Sequence, residues 1–339
     1  MSIRLMWLFF CIAAPTYSAE FILDDQSIVT ESNLMSISLR SDGDIWVGGS
    51  NNGIFRSIDG GQSWLSIAPP KQADNAQFRD IQALNDGVVI LMSAGEGLAS
   101  SIYRTTDNGD NWQRVLQANH EDAFFDCLSF TNERNGWLYG DSIEGELFVL
   151  KTVDGGKRWK SVDIGVKALI KEGGFASSGT CINSEPSQSV LIGTGNAEVS
   201  RLLVKQKQWQ VVDSPLKAGE AAGIFSLQRN DSFIYAAGGS LKTPTEAAEV
   251  FQYGGVSNQW TSLGNPLLTG AIYGSALFKN YLLVTNPDGI SAFNLTHRHW
   301  MQLDNSNVWA IACNTSDECW GVGSEGNVRH LFFSGASNK

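Results

Sequence analysis

The sequence predicts an all-β fold, a single seven-bladed β-propeller of four-stranded blades closed by an N-terminal strand. Three observations carry this reading. The first is a repeat: Ser57-Ile58-Asp59-Gly60-Gly61-Gln62-Ser63-Trp64 returns as Thr105-Thr106-Asp107-Asn108-Gly109-Asp110-Asn111-Trp112 and again as Thr152-Val153-Asp154-Gly155-Gly156-Lys157-Arg158-Trp159. The second is a period: tryptophans followed by short apolar strands stand at 64, 112, 159, 209, 260 and 300, at intervals of 48, 47, 50, 51 and 40 residues. Repeats of that length are those of propeller blades. The third is composition, with 35 Gly, 11 Trp, 17 Phe, only 17% charged residues and few helical runs. That is a globular, aromatic-rich chain and not a disordered one.

Taken in order, residues 1–19 read as a secretory signal peptide, with Arg4, an apolar run from Leu5 to Ala14, and a small-residue cleavage zone ending at Ala19. The run is too short to span a bilayer, so the mature protein, residues 20–339, is expected to be periplasmic or secreted and without stable membrane insertion. Phe21-Ile22-Leu23 is a lone apolar strand. The two inner strands then recur: Met35 to Leu39 and Asp44 to Gly48 in blade one, Ile81 to Leu84 and Val88 to Met92 in blade two, Cys127 to Phe130 and Trp137 to Gly140 in blade three. Blade four offers Gly179 to Ile182 and Val190 to Gly193, blade five Ile224 to Leu227 and Phe233 to Ala237, blade six Ser275 to Phe278 and Tyr281 to Thr285. The last unit has only three strands (Val308 to Ala312, Cys319 to Gly323, Val328 to Phe333), and Phe21 to Leu23 supplies its fourth. Closure of that kind leaves no long unpaired edge.

The repeated turn has a physical reason for each residue type. Ser57, Thr105 and Thr152 and the carboxylates Asp59, Asp107 and Asp154 accept or donate bonds within the turn. Gly61, Gly109 and Gly156 supply positive φ, and Trp64, Trp112 and Trp159 anchor the returning strand. These aspartates are therefore read as turn-formers and not as catalytic acids. In blades four to six the Asp is missing and the spacing from strand to Trp falls from nine residues (Phe55 to Trp64) to seven (Leu202 to Trp209, Tyr253 to Trp260, Phe293 to Trp300), which demands a tighter hairpin.

The turn resembles the Asp-box of the BNR, sialidase-like repeat proteins, and that resemblance places it at the outer edge of a blade, away from the central pocket. Blade five, with Gly238-Gly239 followed by Tyr253 and Trp260, resembles a kelch repeat. As a whole the chain is similar to the Ycf48/HCF136-like photosystem II assembly factors, in its export signal, its length, its three boxes and the phrase Asn135-Gly136-Trp137-Leu138-Tyr139-Gly140-Asp141. Members of that family bind partner proteins and catalyse nothing. Blades four to six lack the box and no dense arginine cluster is visible, so the resemblance implies a general periplasmic interaction scaffold.

The formal net charge of −11 argues against nucleic acid as a partner. A protein partner is expected, bound by a monomer, with a glycan in the central pocket as the alternative. The longer loops between blades carry the candidate binding face: Arg79, His120, Glu121, Lys171, Glu172, Glu220 and Glu246. Glycoside hydrolysis would require two carboxylates about one bond, and Glu121, Glu172, Glu220 and Glu246 are the acids on offer. The sialidase string Phe/Tyr-Arg-Ile-Pro is absent, no nucleophile triad is visible, no cofactor is implied, and the four histidines are scattered and suggest no metal. Binding is thus favoured over catalysis. Of the four cysteines past the signal, Cys313 and Cys319 flank a short hairpin and are expected to bond. Cys127 and Cys181 lie in neighbouring inner strands and could also pair, but at different depths free thiols are the expectation.

Overall fold

A computed structural model describes residues 21–333 except 86, 185–188 and 315–316. Residues 1–19, expected to be a signal peptide, lie outside the described residues. Seven four-stranded antiparallel sheets form the ring. Blade one runs Leu34–Leu39, Ile45–Gly49, Ile54–Ser57 and Leu65–Ser66 from axis to rim. Blades two to six repeat this order in sequence. Blade seven has Ala310–Cys313 innermost, then Glu318–Val322 and Asn327–Phe333, and its outermost strand is Phe21–Ser27 from the other end of the chain. That strand pairs over its whole length, from Phe21 opposite Phe333 to Ser27 opposite Asn327.

Alternation along the inner strands sends side chains to both faces of each sheet, and both faces are covered by neighbouring blades. Seven apolar clusters result, one between each adjacent pair. Trp46 and Ile54 of blade one meet Phe78, Ile81, Leu91 and Tyr103 of blade two. Across the closure, Leu34, Val47 and Phe55 meet Trp320, Val322 and Val328 of blade seven. Phe21 adds an aromatic latch, its ring centroid 4.6 Å from Phe333 and 5.0 Å from Tyr281.

The three repeated turns have one hydrogen-bond pattern. The Ser or Thr hydroxyl donates to the Asp (Ser57 Oγ to Asp59 Oδ1 2.8 Å, Thr105 to Asp107 2.7 Å, Thr152 to Asp154 3.0 Å). The same hydroxyl accepts the glycine N–H at 2.8, 3.0 and 3.0 Å. The Asp in turn accepts the N–H of Ser63, Asn111 or Arg158. Hydrogen bonds from Ser63 and Ser57 hold the Asp59 carboxyl down at about 2, and those from Asn111 and Thr105 lower Asp107. Each glycine has positive φ (81°, 87° and 75°) and also lies against the preceding blade. A Cβ on Gly109 would stand 2.6 Å from Ile67, one on Gly156 2.7 Å from Ile90, and one on Gly61 would overlap Trp320.

The hairpins of blades five and six are tighter. Tyr253 pairs with Trp260 and Phe293 with Trp300, so the Trp joins the ladder and its indole reaches back to the preceding blade. Trp260 Nε1 donates to Asp213 O and Trp300 Nε1 to Leu263 O, both at 2.8 Å.

Cys313 and Cys319 face one another in register and are bonded. Cys127 and Cys181 are bonded too, across the inner strands of blades three and four, with Cα atoms 5.8 Å apart. This corrects the expectation of free thiols. The inner strand of blade four is only Ile182–Asn183, shorter than the Gly179 to Ile182 reading. Cys181 therefore sits in the chain leading into that strand, level with Cys127.

Candidate functional site

At one end of the axis the loops between blades and those joining each blade's second and third strands surround a cavity of about 410 Å³. Its wall is aromatic. Phe175 lies in the loop into blade four, Phe225 is on the inner strand Ala222–Arg229 of blade five, and Tyr273 and Trp309 precede the inner strands of blades six and seven. Phe175 and Phe225 stack at 3.6 Å, Phe225 and Tyr273 at 6.3 Å, and Tyr273 meets Trp309 edge-on at 5.5 Å. Each ring lies on or just before an inner strand, so blades four to seven each deliver one ring to the cavity.

Charge enters from blades two and three. Arg79, on the inner strand Phe78–Asn85, extends across the cavity with its guanidinium 5.7 Å from the Trp309 ring. It donates to Ala176 O at 3.0 Å and to Gln77 Oε1 at 3.1 Å, and burial lowers its pKa. Asp126 and Asp141 come from neighbouring strands of blade three, Phe125–Phe130 and Gly136–Ile143. Asp126 is buried and accepts the Gly174 N–H at 3.0 Å. Burial, reinforced by the charge of Asp141, pushes Asp126 well above the carboxylate range, and burial pushes Asp141 up to about 6.

Of the residues singled out from sequence, Arg79 alone lines the cavity. Glu172 is fully buried beneath the face, paired with Arg201 and bonded to Thr194 Oγ1 at 2.7 Å and Leu169 N at 2.8 Å, so it is closed to a ligand. Glu220 pairs with Lys242 and Glu246 with Lys217 at the exposed rim. His120, half-buried, accepts the Asp122 N–H, while Glu121 and Lys171 are exposed. The cavity residues that sequence reasoning missed carry a readable signal: Phe175, Phe225 and Tyr273 recur at the blade interval, 50 and then 48 residues apart. Among the described residues, no group of three or more His, Cys, Asp or Glu is arranged to hold a metal.

No family model and no curated protein matches the sequence. Solved structures do match in shape. A Ycf48 structure described as bound to a D1 peptide is 14% identical, with 91% of this chain and 96% of that chain covered and a TM-score of 0.65. Ycf48 from Cyanidioschyzon merolae is 12% identical over 91% of this chain and 98% of that one, TM-score 0.66. The GH74 enzyme of Niastella koreensis is 14% identical, covers 91% of this chain and 53% of its own, TM-score 0.62. In fold, the chain is a seven-bladed propeller like the Ycf48 structures, with an aromatic cavity at one end of its axis.

Proposed function

We propose that the protein is an exported, non-catalytic scaffold that seats a segment of a partner polypeptide in the axial cavity, as an assembly or stability factor for a membrane or envelope complex. The observation that carries this reading is the wall of stacked rings crossed by Arg79. Apolar and aromatic clefts with a few polar groups are what recognition of a peptide requires. The rim supports it. Val29, Leu98, Ile170, Leu241 and Leu267 are large apolar side chains left exposed, and all sit on loops of the cavity's face. A Ycf48 structure of like fold is described with a peptide bound, which is consistent with polypeptide binding by such a ring.

A glycoside hydrolase is the second reading, favoured by the two carboxyl groups in the cavity and by the likeness to the GH74 enzyme. Asp126 and Asp141 rise from adjacent strands of one blade, on the same wall. Acids that cleave a glycosidic bond flank it.

Immobilised mature protein, offered the exported polypeptides of its host, should retain a partner that the Leu241→Asp variant releases. Leu241 is 45% exposed, so the substitution should leave the melting temperature unchanged. A panel of sialyl, arabinosyl and glucosyl substrates should give no turnover. Equal retention by both proteins, or turnover lost with Asp141→Asn, would overturn the proposal.

A further inference from the structure

We propose that the blade-three end of the axial cavity receives a basic side chain, a lysine or arginine of the bound segment, whose ammonium or guanidinium group sits on Asp126 and Asp141 and whose stem lies on the neighbouring rings. This deepens the partner-binding reading and rests on it.

The groups facing this end are short of hydrogen-bond donors. Asp141 Oδ1 is buried with no partner. Behind the cavity wall the Tyr139 hydroxyl, fully buried, also lacks one, and burial, reinforced by the nearby acids Glu172, Asp126 and Asp141, raises its pKa. Arg201, the cation near Tyr139, is committed to Glu172 and to Lys167 O. Arg79 is committed to Gln77 and Ala176 and lies over Trp309. Buried acceptors without donors are costly, and without a ligand the pair lessens this by holding one proton on Asp126, which burial and the charge of Asp141 push well above the carboxylate range. An ammonium brings three donors and a guanidinium five, with the charge that two buried carboxyls favour. The apolar stem is provided for as well. Gly174, whose N–H binds Asp126, is followed directly by Phe175, the first ring of the stacked wall, and aromatic faces attract a cation.

The probes are three small molecules that share a phenyl ring and a four-carbon stem: phenylbutylamine, phenylbutanol and phenylbutyrate. Their binding to the mature protein is measured by ligand-observed NMR titration. The amine should bind about tenfold or more tighter than the alcohol or the acid, one charge-assisted contact being worth that much. The advantage should shrink as pH falls from about 8 to about 5, because protonating the pair removes its charge. In Asp126→Asn/Asp141→Asn it should vanish while alcohol binding persists. An alcohol binding as well as the amine, an amine advantage unchanged at low pH, or no amine binding would overturn this inference. Tightest binding by the acid would also overturn it, in favour of Arg79 as anchor. None of these results touches the partner-binding reading, which stands or falls on retention by the Leu241→Asp variant.

Discussion

The chemistry of single residues here is dominated by where carboxyl groups meet water. Those of the repeated turns, exposed at Asp59 and half-buried at Asp107 and Asp154, are heavily hydrogen-bonded and held in the charged form, whereas those near the axis are buried and pushed toward neutrality. Asp80 is the clearest axial case. It accepts the Leu128 N–H at 2.8 Å and a bond from Gln82 at 3.0 Å, joining blade two to blade three, and burial raises it from its ordinary 3.8 to about 8. A carboxyl raised on folding contributes stability that is complete below its unfolded pKa and is lost as pH rises through the folded value. The melting temperature should therefore fall between about pH 4 and pH 8, and Asp80→Asn, neutral throughout, should flatten that slope. An unchanged slope in a pH series of thermal melts would show that Asp80 is ionised in the fold.

None of this was legible in the sequence, where Asp80, Asp126 and Asp141 look no different from the acids of the loops. Burial distinguishes them, and burial near the axis depends on how closely seven inner strands converge. The loop acids stand out in the sequence for the opposite reason, since loops carry most binding residues. Glu172 shows why that fails: the loop into blade four folds beneath the face, and Arg201 takes its charge.

At the level of the element, the repeated turn was fully readable, because every residue in it answers a local demand. The hydroxyl, carboxylate and glycine satisfy one another within five positions of the chain. What sequence could not supply is the glycine's second task of letting the turn lie against the blade before it. Thr105→Ala would leave the buried Gly109 N–H unpaired and should lower stability by about 1–3 kcal/mol in a denaturant titration, with Thr105→Ser restoring most of it. Asp107→Ala, at a half-buried carboxylate that water can partly replace, should lower the melting temperature less. Trp112→Ala removes an indole packed between blades one and two and bonded to Ala68 O at 3.1 Å, and should cost about 3–5 kcal/mol. Thr105→Ala melting like the parent would mean that the turn is held by its neighbours instead. The inner strand of blade four was less legible, because the seven residues Phe175 to Cys181 serve the cavity and the disulfide before the chain enters its short ladder.

For the molecule as a whole, closure is the decisive feature. The ring is held shut by Phe21–Ser27, seven residues in register with Asn327–Phe333, and by the Phe21 ring against Phe333 and Tyr281. Their removal opens a strand edge and strips the outer face of blade seven. A chain that begins at residue 28 should lose its single cooperative transition or aggregate, and one that melts as before would refute the latch. The closed ring has two unlike faces. One carries tight turns, and the other carries the cavity and the apolar rim. That second face is where the account places the partner, and site-specific photo-crosslinking tests it most directly. A photoreactive residue at Leu241, on the cavity rim, should give a polypeptide adduct in the host, and one at Val256, fully exposed in a turn of the opposite face, should give none. Adducts from Val256 with none from Leu241 would contradict the account.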